Sequence, residues 1–192
     1  LYLSTPFSRE AADRLNDMGV PAFKIGSGEC NNIPLLDHIA KFGKPMILST
    51  GMNDLNSVIS SVEAIRKHDV PLALLHCTSM YPTPYENVRL GAVSELINEF
   101  PELPIGLSDH SMNIWTCLGA VSLGASILEK HFTISRNWPG PDTGISIEPN
   151  ELNALIEGSR AVWAARGGSK TILEEEKPVI DFAYATVVTI AK

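Results

Sequence analysis

The sequence has few of the features that mark secreted, membrane-spanning or nucleic-acid-binding proteins. Its 192 residues include only three cysteines, Cys30, Cys77 and Cys117, which lie far apart and in no metal-ligand spacing. Such sparse use indicates a reducing compartment, so we expect a cytoplasmic protein whose thiols pack in the core. The chain has no apolar run of membrane-spanning length. The net charge of −7 argues against nucleic acid and anionic membranes as partners.

The sequence also lacks a GxGxxG or Walker motif, so an open α/β sheet with a glycine-rich nucleotide turn is not indicated. Hydrophobic residues make up 44% and charged residues 19% of the chain, which is typical of a globular domain. Its length allows one sizeable core but not two full domains. A small anionic substrate remains compatible with the acidic charge, because a few lysines and backbone N–H groups can bind an anion.

Six short apolar runs alternate with amphipathic helical patterns. The runs predict strands at 1–5, 22–25, 46–48, 72–75 and 105–107, and a sixth strand that starts at 127. The helical patterns cover about 8–18, 34–43, 53–68, a segment through 96–97, 113–123 and 149–165. Strands that alternate with helices predict a parallel sheet covered by helices.

Each predicted strand is followed by a polar side chain that could serve a site. In chain order these are Thr5, Ser27, Ser49, Thr78 with Ser79, Ser108 with His110, and His131. Capping of the following helices would explain one or two of them but not all six. A (β/α)8 barrel gathers the C-terminal ends of its strands into one active site. The fold class predicted is therefore α/β, a TIM barrel.

Six βα units do not close an eight-stranded barrel of about 250 residues. We therefore expect residues 1–168 to be part of a barrel domain, with roughly two βα units preceding Leu1. After Gly168 the composition changes to a polar stretch at 174–178 and a β-prone stretch at 187–190. This change predicts that residues 169–192 are a linker toward a further domain that is absent here.

Two histidines end neighbouring predicted strands, one βα unit apart. If these strands are parallel, His110 and His131 emerge at the same end of the sheet. Two imidazoles suit Mn²⁺, Zn²⁺, Co²⁺ or Mg²⁺ acting as a Lewis acid. The alternative is a pair of buried histidines that only form hydrogen bonds. By strand alternation Glu129 lies on the same side as His131, as a base or a hydrogen-bonding partner, and Lys130 points outward to the helices.

Lys24 interrupts an apolar strand, where a lysine is costly unless it meets a negative charge. Together with the small residues that follow it, including Ser27, it predicts a cradle for a carboxylate or phosphate. The alternative is a lysine that extends to the barrel rim. Glu29 either binds substrate hydroxyls or caps the next helix. On loops at the same end, Tyr81 and Asp142 are either site groups or plain surface groups.

Seven blocks, in chain order, resemble the sialic acid synthase family, which comprises N-acetylneuraminate synthase and its legionaminate and pseudaminate relatives. The blocks are STPFS at 4–8, KIGSGECNN at 24–32, LSTGM at 48–52, HCTSMYPTP at 76–84, GLSDH at 106–110, EKHF at 129–132 and GPD at 140–142. In addition, EKPVIDFA at 176–183 resembles the family's linker to its C-terminal antifreeze-like domain.

The resemblance implies a metal-dependent transferase that condenses phosphoenolpyruvate with N-acetylmannosamine or a related N-acetylated sugar. The products are a sialic-acid-type nine-carbon 2-keto acid and phosphate. The resemblance implies Mn²⁺ as the cofactor, with Mg²⁺ or Co²⁺ as alternatives, and His110 and His131 as its ligands. It places phosphoenolpyruvate contacts at Thr5, Lys24, Ser27, Ser49 and Ser108, and sugar contacts at Glu29, Tyr81 and Asp142. It also implies a homodimer in which the antifreeze-like domain closes the partner's site.

In the mechanism that the resemblance implies, C3 of phosphoenolpyruvate attacks the metal-polarised sugar aldehyde. Water oriented by the metal and Glu129 then adds at C2, and phosphate leaves, while Lys24 holds the anionic groups. One residue departs from the family pattern. Neuraminate synthases usually carry Asn where this chain has Ser79, near the phosphoenolpyruvate. Serine lacks the two donors of the amide, so the identity of the sugar stays open.

Two other interpretations remain. A different TIM-barrel aldolase or lyase would use the same histidines, with Lys24 forming a Schiff base. A truncated, non-catalytic barrel segment is the second, and it would be favoured by the loss of His110, His131 or Lys24. All three residues are present.

Overall fold

A computed structural model describes residues 1–183 and shows a parallel sheet with helices between its strands. The strands are β1 (Phe23–Ile25), β2 (Met46–Ser49), β3 (Leu72–Cys77), β4 (Ile105–Asp109) and β5 (Ile127–Lys130). They lie in the order β1-β2-β3-β4-β5, and every neighbouring pair is parallel. The α/β class with a parallel sheet is thus confirmed. An order that never reverses is typical of a barrel and differs from a doubly wound sheet.

The helices follow the strands and cover the sheet. They are α1 (Arg9–Asp17), α2 (Ile33–Ala40), α3 (Leu55–Arg66), α4 (Tyr85–Val88), α5 (Gly91–Glu99), α6 (Trp115–Ser122), α7 (Pro149–Ala165) and α8 (Lys177–Ala183). Side chains that accept hydrogen bonds from the first turn fix three of the starts: Ser8 before α1, Asn32 before α2 and Asp54 before α3. Each cap satisfies a backbone N–H that the helix leaves free.

The prediction of a first strand at residues 1–5 is wrong, so the described residues contain five strands and not six. The segment runs beside β1, and the Ser4 carbonyl accepts a hydrogen bond from the Lys24 backbone N–H at 3.3 Å. Leu1, Tyr2 and Leu3 are exposed. An apolar run forms a ladder only where a neighbouring backbone supplies regular partners, and hydrophobic sequence alone does not reveal that partner.

The sheet is strongly curved. Lys24 on β1 and Glu129 on β5 form an ion pair with Nζ and Oε1 3.4 Å apart. At the usual strand spacing, a flat sheet would separate β1 from β5 by about 19 Å, more than the two side chains can span together. The five strands therefore form an arc of a barrel, and the Lys24 and Glu129 side chains meet on its concave side.

The core lies between the sheet and its helices, and β3 is buried at every position. Fully buried side chains include Phe23, Leu36, Leu48, Leu74 and Leu107. On β4, Gly106 permits an unusually close approach: a Cβ atom placed there would lie 2.3 Å from the Ile127 carbonyl oxygen of β5. This position needs glycine because a neighbouring backbone occupies the space of any side chain.

The end of the described chain is exposed. Residues 169–183 form a short turn and α8, whose side chains include the largely exposed Phe182 and Val179. The β-prone stretch 187–190 lies outside the described residues. None of the helices within residues 1–183 has the length and hydrophobicity of a membrane span.

Candidate active site

A cavity of about 530 Å³ opens at the C-terminal ends of the strands. Nine residues that sequence reasoning selected line it: Thr5, Lys24, Ser27, Ser79, Tyr81, Ser108, His110, Glu129 and His131. They come from the segment before α1 and from the β1, β3, β4 and β5 units, and Met52 represents the β2 unit in the lining. Their convergence follows from the parallel sheet, which brings all C-terminal strand ends to one edge.

The two histidines face each other in this cavity, with their ring centroids 5.2 Å apart. The Nδ1 atom of His110 donates a hydrogen bond to the Thr78 carbonyl at 2.8 Å. This bond places the proton on Nδ1 and leaves the lone pair of Nε2 free. His131 has its Nδ1 3.8 Å from Oδ2 of Asp142. Burial and the neighbouring His110 lower the pKa of His131, which keeps its imidazole neutral at pH 7.

The donor set fits a divalent metal ion held by two protein ligands. Imidazole nitrogens suit Mn²⁺, Co²⁺ and Zn²⁺, and a backbone-anchored imidazole such as His110 is the usual form of a ligand. Within residues 1–183 no group of three or more His, Cys, Asp or Glu side chains has metal-binding geometry. Water or substrate oxygens would therefore complete the coordination, and an open coordination sphere is typical of catalytic sites.

A proton competes with a metal at His110. Burial works against its charged form, but hydrogen bonds to Cys77 and Thr78 outweigh burial and raise its pKa. Ligand imidazoles must be neutral, so the raised pKa of His110 means that metal binding weakens as the pH falls.

An ion pair with two hydroxyl partners forms the opposite wall of the cavity. Lys24 donates from Nζ to Oγ of Ser49 at 2.8 Å and lies 3.4 Å from Oε1 of Glu129. Ser108 donates from Oγ to the same Glu129 oxygen at 2.8 Å. The Lys24 side chain is 14% exposed and that of Glu129 is 43% exposed. A mostly buried cation beside an accessible carboxylate can bind an incoming anion and handle a proton.

A small polar recess lies next to Lys24. The backbone N–H of Gly51 donates to Oγ of Ser27 at 3.0 Å. A Cβ atom on Gly51 would lie 2.7 Å from Oγ of both Ser27 and Ser79. Asn53 holds this turn with hydrogen bonds to the carbonyls of Ser27 and Gly51. The Ser27 and Ser79 hydroxyls line the same cavity as the Lys24 ammonium, a combination that suits a carboxylate or phosphate.

Tyr81 covers the histidines. Its ring centroid lies 4.1 Å from that of His110, and its plane is tilted by 31°. It meets His131 edge-on with a centroid distance of 5.9 Å. Aromatic packing of this kind orients both imidazoles.

Three predicted site residues do not line the cavity. Ser49 is buried and reaches it only through Lys24. Asp142 lies beside His131, on the loop that precedes the turn at Thr143–Ile145. The Glu29 carboxylate does not line the cavity either: it accepts a hydrogen bond from Asn32 at 2.6 Å in the turn that leads into α2.

Several cavity residues were missed by sequence reasoning, namely Phe7, Met52 and Cys77. Phe7 and Met52 carry no chemical signal of a site. Cys77 ends β3, and its Sγ is 3.8 Å from Nδ1 of His110. Its position at the end of a predicted strand was a usable signal. The three cysteines lie far apart in the sequence, and for that reason Cys77 was expected only to pack in the core.

Comparison with known proteins supports the family relationship. The model of the NeuB family matches residues 1–171. The chain is 41% identical over 191 residues to N,N'-diacetyllegionaminic acid synthase of Campylobacter jejuni, covering 97% of this chain and 57% of that protein. It is 40% identical over 166 residues to N-acetylneuraminate-9-phosphate synthase of Homo sapiens, covering 86% of this chain and 46% of that protein.

The fold agrees with a solved structure. An N-acetylneuraminic acid synthetase of Leptospira borgpetersenii, crystallised with citrate, superposes with a TM-score of 0.86 at 36% identity. The superposition covers 94% of this chain and 64% of that one. The chain spans about half the length of the curated relatives it matches. With the resemblance to sialic acid synthases thus confirmed, the chain belongs to the NeuB family.

Proposed function

We propose that this chain forms most of the catalytic barrel of a synthase that condenses phosphoenolpyruvate with an N-acetylmannosamine-type sugar. One observation carries the proposal: the His110–His131 pair and the Lys24–Glu129 ion pair face the same cavity. This combination offers a site for a Lewis acid, a cation for an anionic substrate and a carboxylate for proton transfer. Membership of a family that includes sialic-acid-type synthases supports the same reaction class.

His110 and His131 would hold the metal ion, for which Mn²⁺ is our first choice and Mg²⁺ or Co²⁺ the alternatives. When bound, the ion supplies a Lewis acid for the aldehyde oxygen of the open-chain sugar. The Thr78 carbonyl and the Tyr81 ring hold the His110 imidazole in a single orientation.

Lys24 would bind the carboxylate or phosphate of phosphoenolpyruvate. Its ammonium is already desolvated and oriented by Ser49, so little reorganisation is needed when the anion arrives. Ser27 and Thr5 lie on the same wall and would donate further hydrogen bonds. Ser108 keeps Glu129 in place on the other side of Lys24.

Glu129 would act as the base. As C3 of phosphoenolpyruvate attacks the aldehyde carbon, positive charge develops at C2, and the carboxylate of Glu129 takes a proton from the water that adds there. The proton on Glu129 then passes to the alkoxide formed from the aldehyde oxygen. The tetrahedral carbon expels phosphate by cleavage of its C–O bond, and the C2 hydroxyl gives its proton to the departing phosphate as it becomes the carbonyl of the 2-keto acid. The Lys24 ammonium stabilises the charge on the departing phosphate.

Tyr81, Asp142 and Glu29 would contact the sugar, and Ser79, near the phosphoenolpyruvate, would influence which sugar is accepted. Tyr81 and Ser79 lie in the cavity, and Asp142 is near enough to reach a sugar bound at His131. Glu29 would require a rearrangement of its hydrogen bond to Asn32. The choice among N-acetylmannosamine and its diacetamido relatives depends on these groups.

We further propose that the full-length protein is a cytoplasmic homodimer with a complete (β/α)8 barrel, followed by an antifreeze-like domain. The lengths of the relatives support further barrel strands and a following domain, and three free cysteines suit a reducing compartment. Sedimentation equilibrium of the full-length protein measures its oligomeric state directly.

The test is phosphate release from phosphoenolpyruvate by the full-length protein, with Mn²⁺ and a panel of N-acetylmannosamine and diacetamido sugars. We expect release that requires both sugar and metal and that His131→Ala abolishes. The control is His38→Ala, because His38 pairs with Asp13 outside the cavity. Absence of release with every sugar would contradict the proposal, and borohydride trapping of a Schiff base on Lys24 would then favour an aldolase.

A further inference from the structure

A buried ion pair lies directly behind the two histidines. Asp109 and Lys130 are partners in the register between β4 and β5. Their side chains meet with Nζ 2.6 Å from Oδ2, and they are only 1% and 4% exposed. The residue that follows each of them is a candidate metal ligand, His110 after Asp109 and His131 after Lys130.

The pair belongs to a hydrogen-bond network that includes the residues immediately before and after His110 in the sequence. Asp109 accepts from the backbone N–H of Ser111 at 3.1 Å, from Oγ of Ser111 at 2.9 Å and from Oγ1 of Thr116 at 2.9 Å. Lys130 also donates to the Ser111 carbonyl. The residues before and after His110 are therefore both bonded to one ammonium group on β5.

This network cannot touch a substrate in the cavity. Successive side chains of a strand point to opposite faces, and Asp109 and Lys130 point toward α6, away from the cavity that Ser108 and Glu129 line. The network reaches the site through the backbone, because Asp109 and Lys130 are bonded directly to the two histidines in sequence. A buried ion pair contributes little net stability compared with apolar side chains of similar size, so a geometric role is a reasonable explanation for it.

We propose that Asp109 and Lys130 are positioning residues that set the separation of His110 and His131 for metal binding. The pair links β4 to β5 at the last register position before each histidine. A change of a few tenths of an ångström here moves one imidazole relative to the other. This inference rests on the proposed function, because it assumes that the two histidines bind the metal.

The experiment is a calorimetric titration of the metal-free, full-length protein with Mn²⁺, which measures the Mn²⁺ affinity. We expect Lys130→Met to weaken Mn²⁺ binding by about 10- to 100-fold, the usual effect of removing a residue that orients a ligand. Thr116→Val removes one donor to Asp109 and should weaken binding less, by several-fold. Arg66→Met removes an exposed ion pair with Glu102 and should leave Mn²⁺ affinity unchanged.

A second readout separates positioning from general damage. Phosphoenolpyruvate affinity in the absence of metal should stay within about twofold of wild type in all variants, because the Lys24 wall of the cavity is intact. Unchanged Mn²⁺ affinity in both Lys130→Met and Thr116→Val would overturn the inference and leave the proposed function standing. A wild-type protein that binds no Mn²⁺ would overturn both. If Lys130→Met does not fold, the Thr116→Val result decides.

Discussion

Lys24 and Glu129 form an ion pair of 3.4 Å although they lie on the first and last strands of the sheet. The contact shows that the sheet curves enough to bring its two edges together around the cavity. It also joins the cation that we assign to the anionic substrate with the carboxylate that we assign to proton transfer. The two proposed roles therefore depend on a single pair of charges.

Replacement of Lys24 tests this wall of the cavity. Lys24→Met should lower kcat/KM for phosphoenolpyruvate by about 100- to 1,000-fold, the usual loss when an oriented donor to a developing charge is removed. Mn²⁺ affinity should remain, since Lys24 does not contact the histidines. The measurement is phosphate release under steady-state conditions. Lys67→Met, an exposed change at the end of α3, is the control, and wild-type activity in Lys24→Met would refute the role.

Tyr81 offers a test of ring packing separate from the hydroxyl. Tyr81→Phe keeps the ring that lies 4.1 Å from His110 and should bind Mn²⁺ as the wild type does. Tyr81→Leu removes the ring and should weaken Mn²⁺ binding several-fold, because the imidazole loses its neighbour. Calorimetry provides both affinities. Equal losses in the two variants would mean that the hydroxyl matters more than the ring.

Gly106 should be intolerant of even a methyl group. Gly106→Ala places a Cβ atom 2.3 Å from the Ile127 carbonyl oxygen, so β4 and β5 must separate. We expect a loss of about 1–3 kcal/mol in the free energy of unfolding, the usual cost of overpacking. Urea denaturation gives the value. Gly91→Ala serves as the control because a Cβ there meets nothing within 4 Å, and a neutral Gly106→Ala would show that the strands are less tightly apposed.

The carboxyl group of Asp37, which lies outside the cavity, should make the stability of the fold depend on pH. Hydrogen bonds from Lys41 and His68 lower the pKa of its carboxyl to about 2. Because the folded-state pKa lies below the usual value of about 3.9, the ionised form stabilises the fold above that value. This contribution is lost as pH falls toward about 2.

Asp37→Asn should therefore lower the melting temperature slightly at pH 7, and the difference from wild type should vanish near pH 2. The effect is small because the side chain is 41% exposed and solvent screens the pair. Thermal denaturation at several pH values measures it, with Asp17→Asn, on the exposed end of α1, as a comparison. A difference that persists at pH 2 would point to a cause other than charge.

Sequence reasoning was most accurate where the signals were local. The helix predicted at 149–165 begins and ends at those residues, since Pro149 and the Glu148–Glu151 capping pair mark its start. Alternation along β5 correctly predicted that Glu129 faces the cavity and that Lys130 points to the helices. Both inferences depend only on the periodicity of the backbone.

Sequence reasoning failed where distant parts of the chain decide the outcome. The apolar run at 1–5 has the composition of a strand but lacks the regular backbone partner that would make it one. For Glu29 the sequence left two roles open, and the carboxylate bonds locally to Asn32, the N-cap of α2, so its role toward a substrate stays a prediction. The Asp109–Lys130 pair had a visible signal, opposite charges at matching positions before two histidines, but its burial depends on how α6 packs.

The alternation of β5 makes the site sensitive to the count of residues as well as to their identity. Glu129 and His131 line the cavity, whereas Lys130 between them points to Asp109 and Thr116 on the α6 side. Deleting one residue early in β5 would reverse this order: the ammonium of Lys130 would take the place of the Glu129 carboxylate, and His131 would turn to α6. The same deletion in the loop after Phe132 would leave the order unchanged. The number of residues in β5 therefore decides which side chains face the cavity, whereas the number of residues in the loop after Phe132 does not.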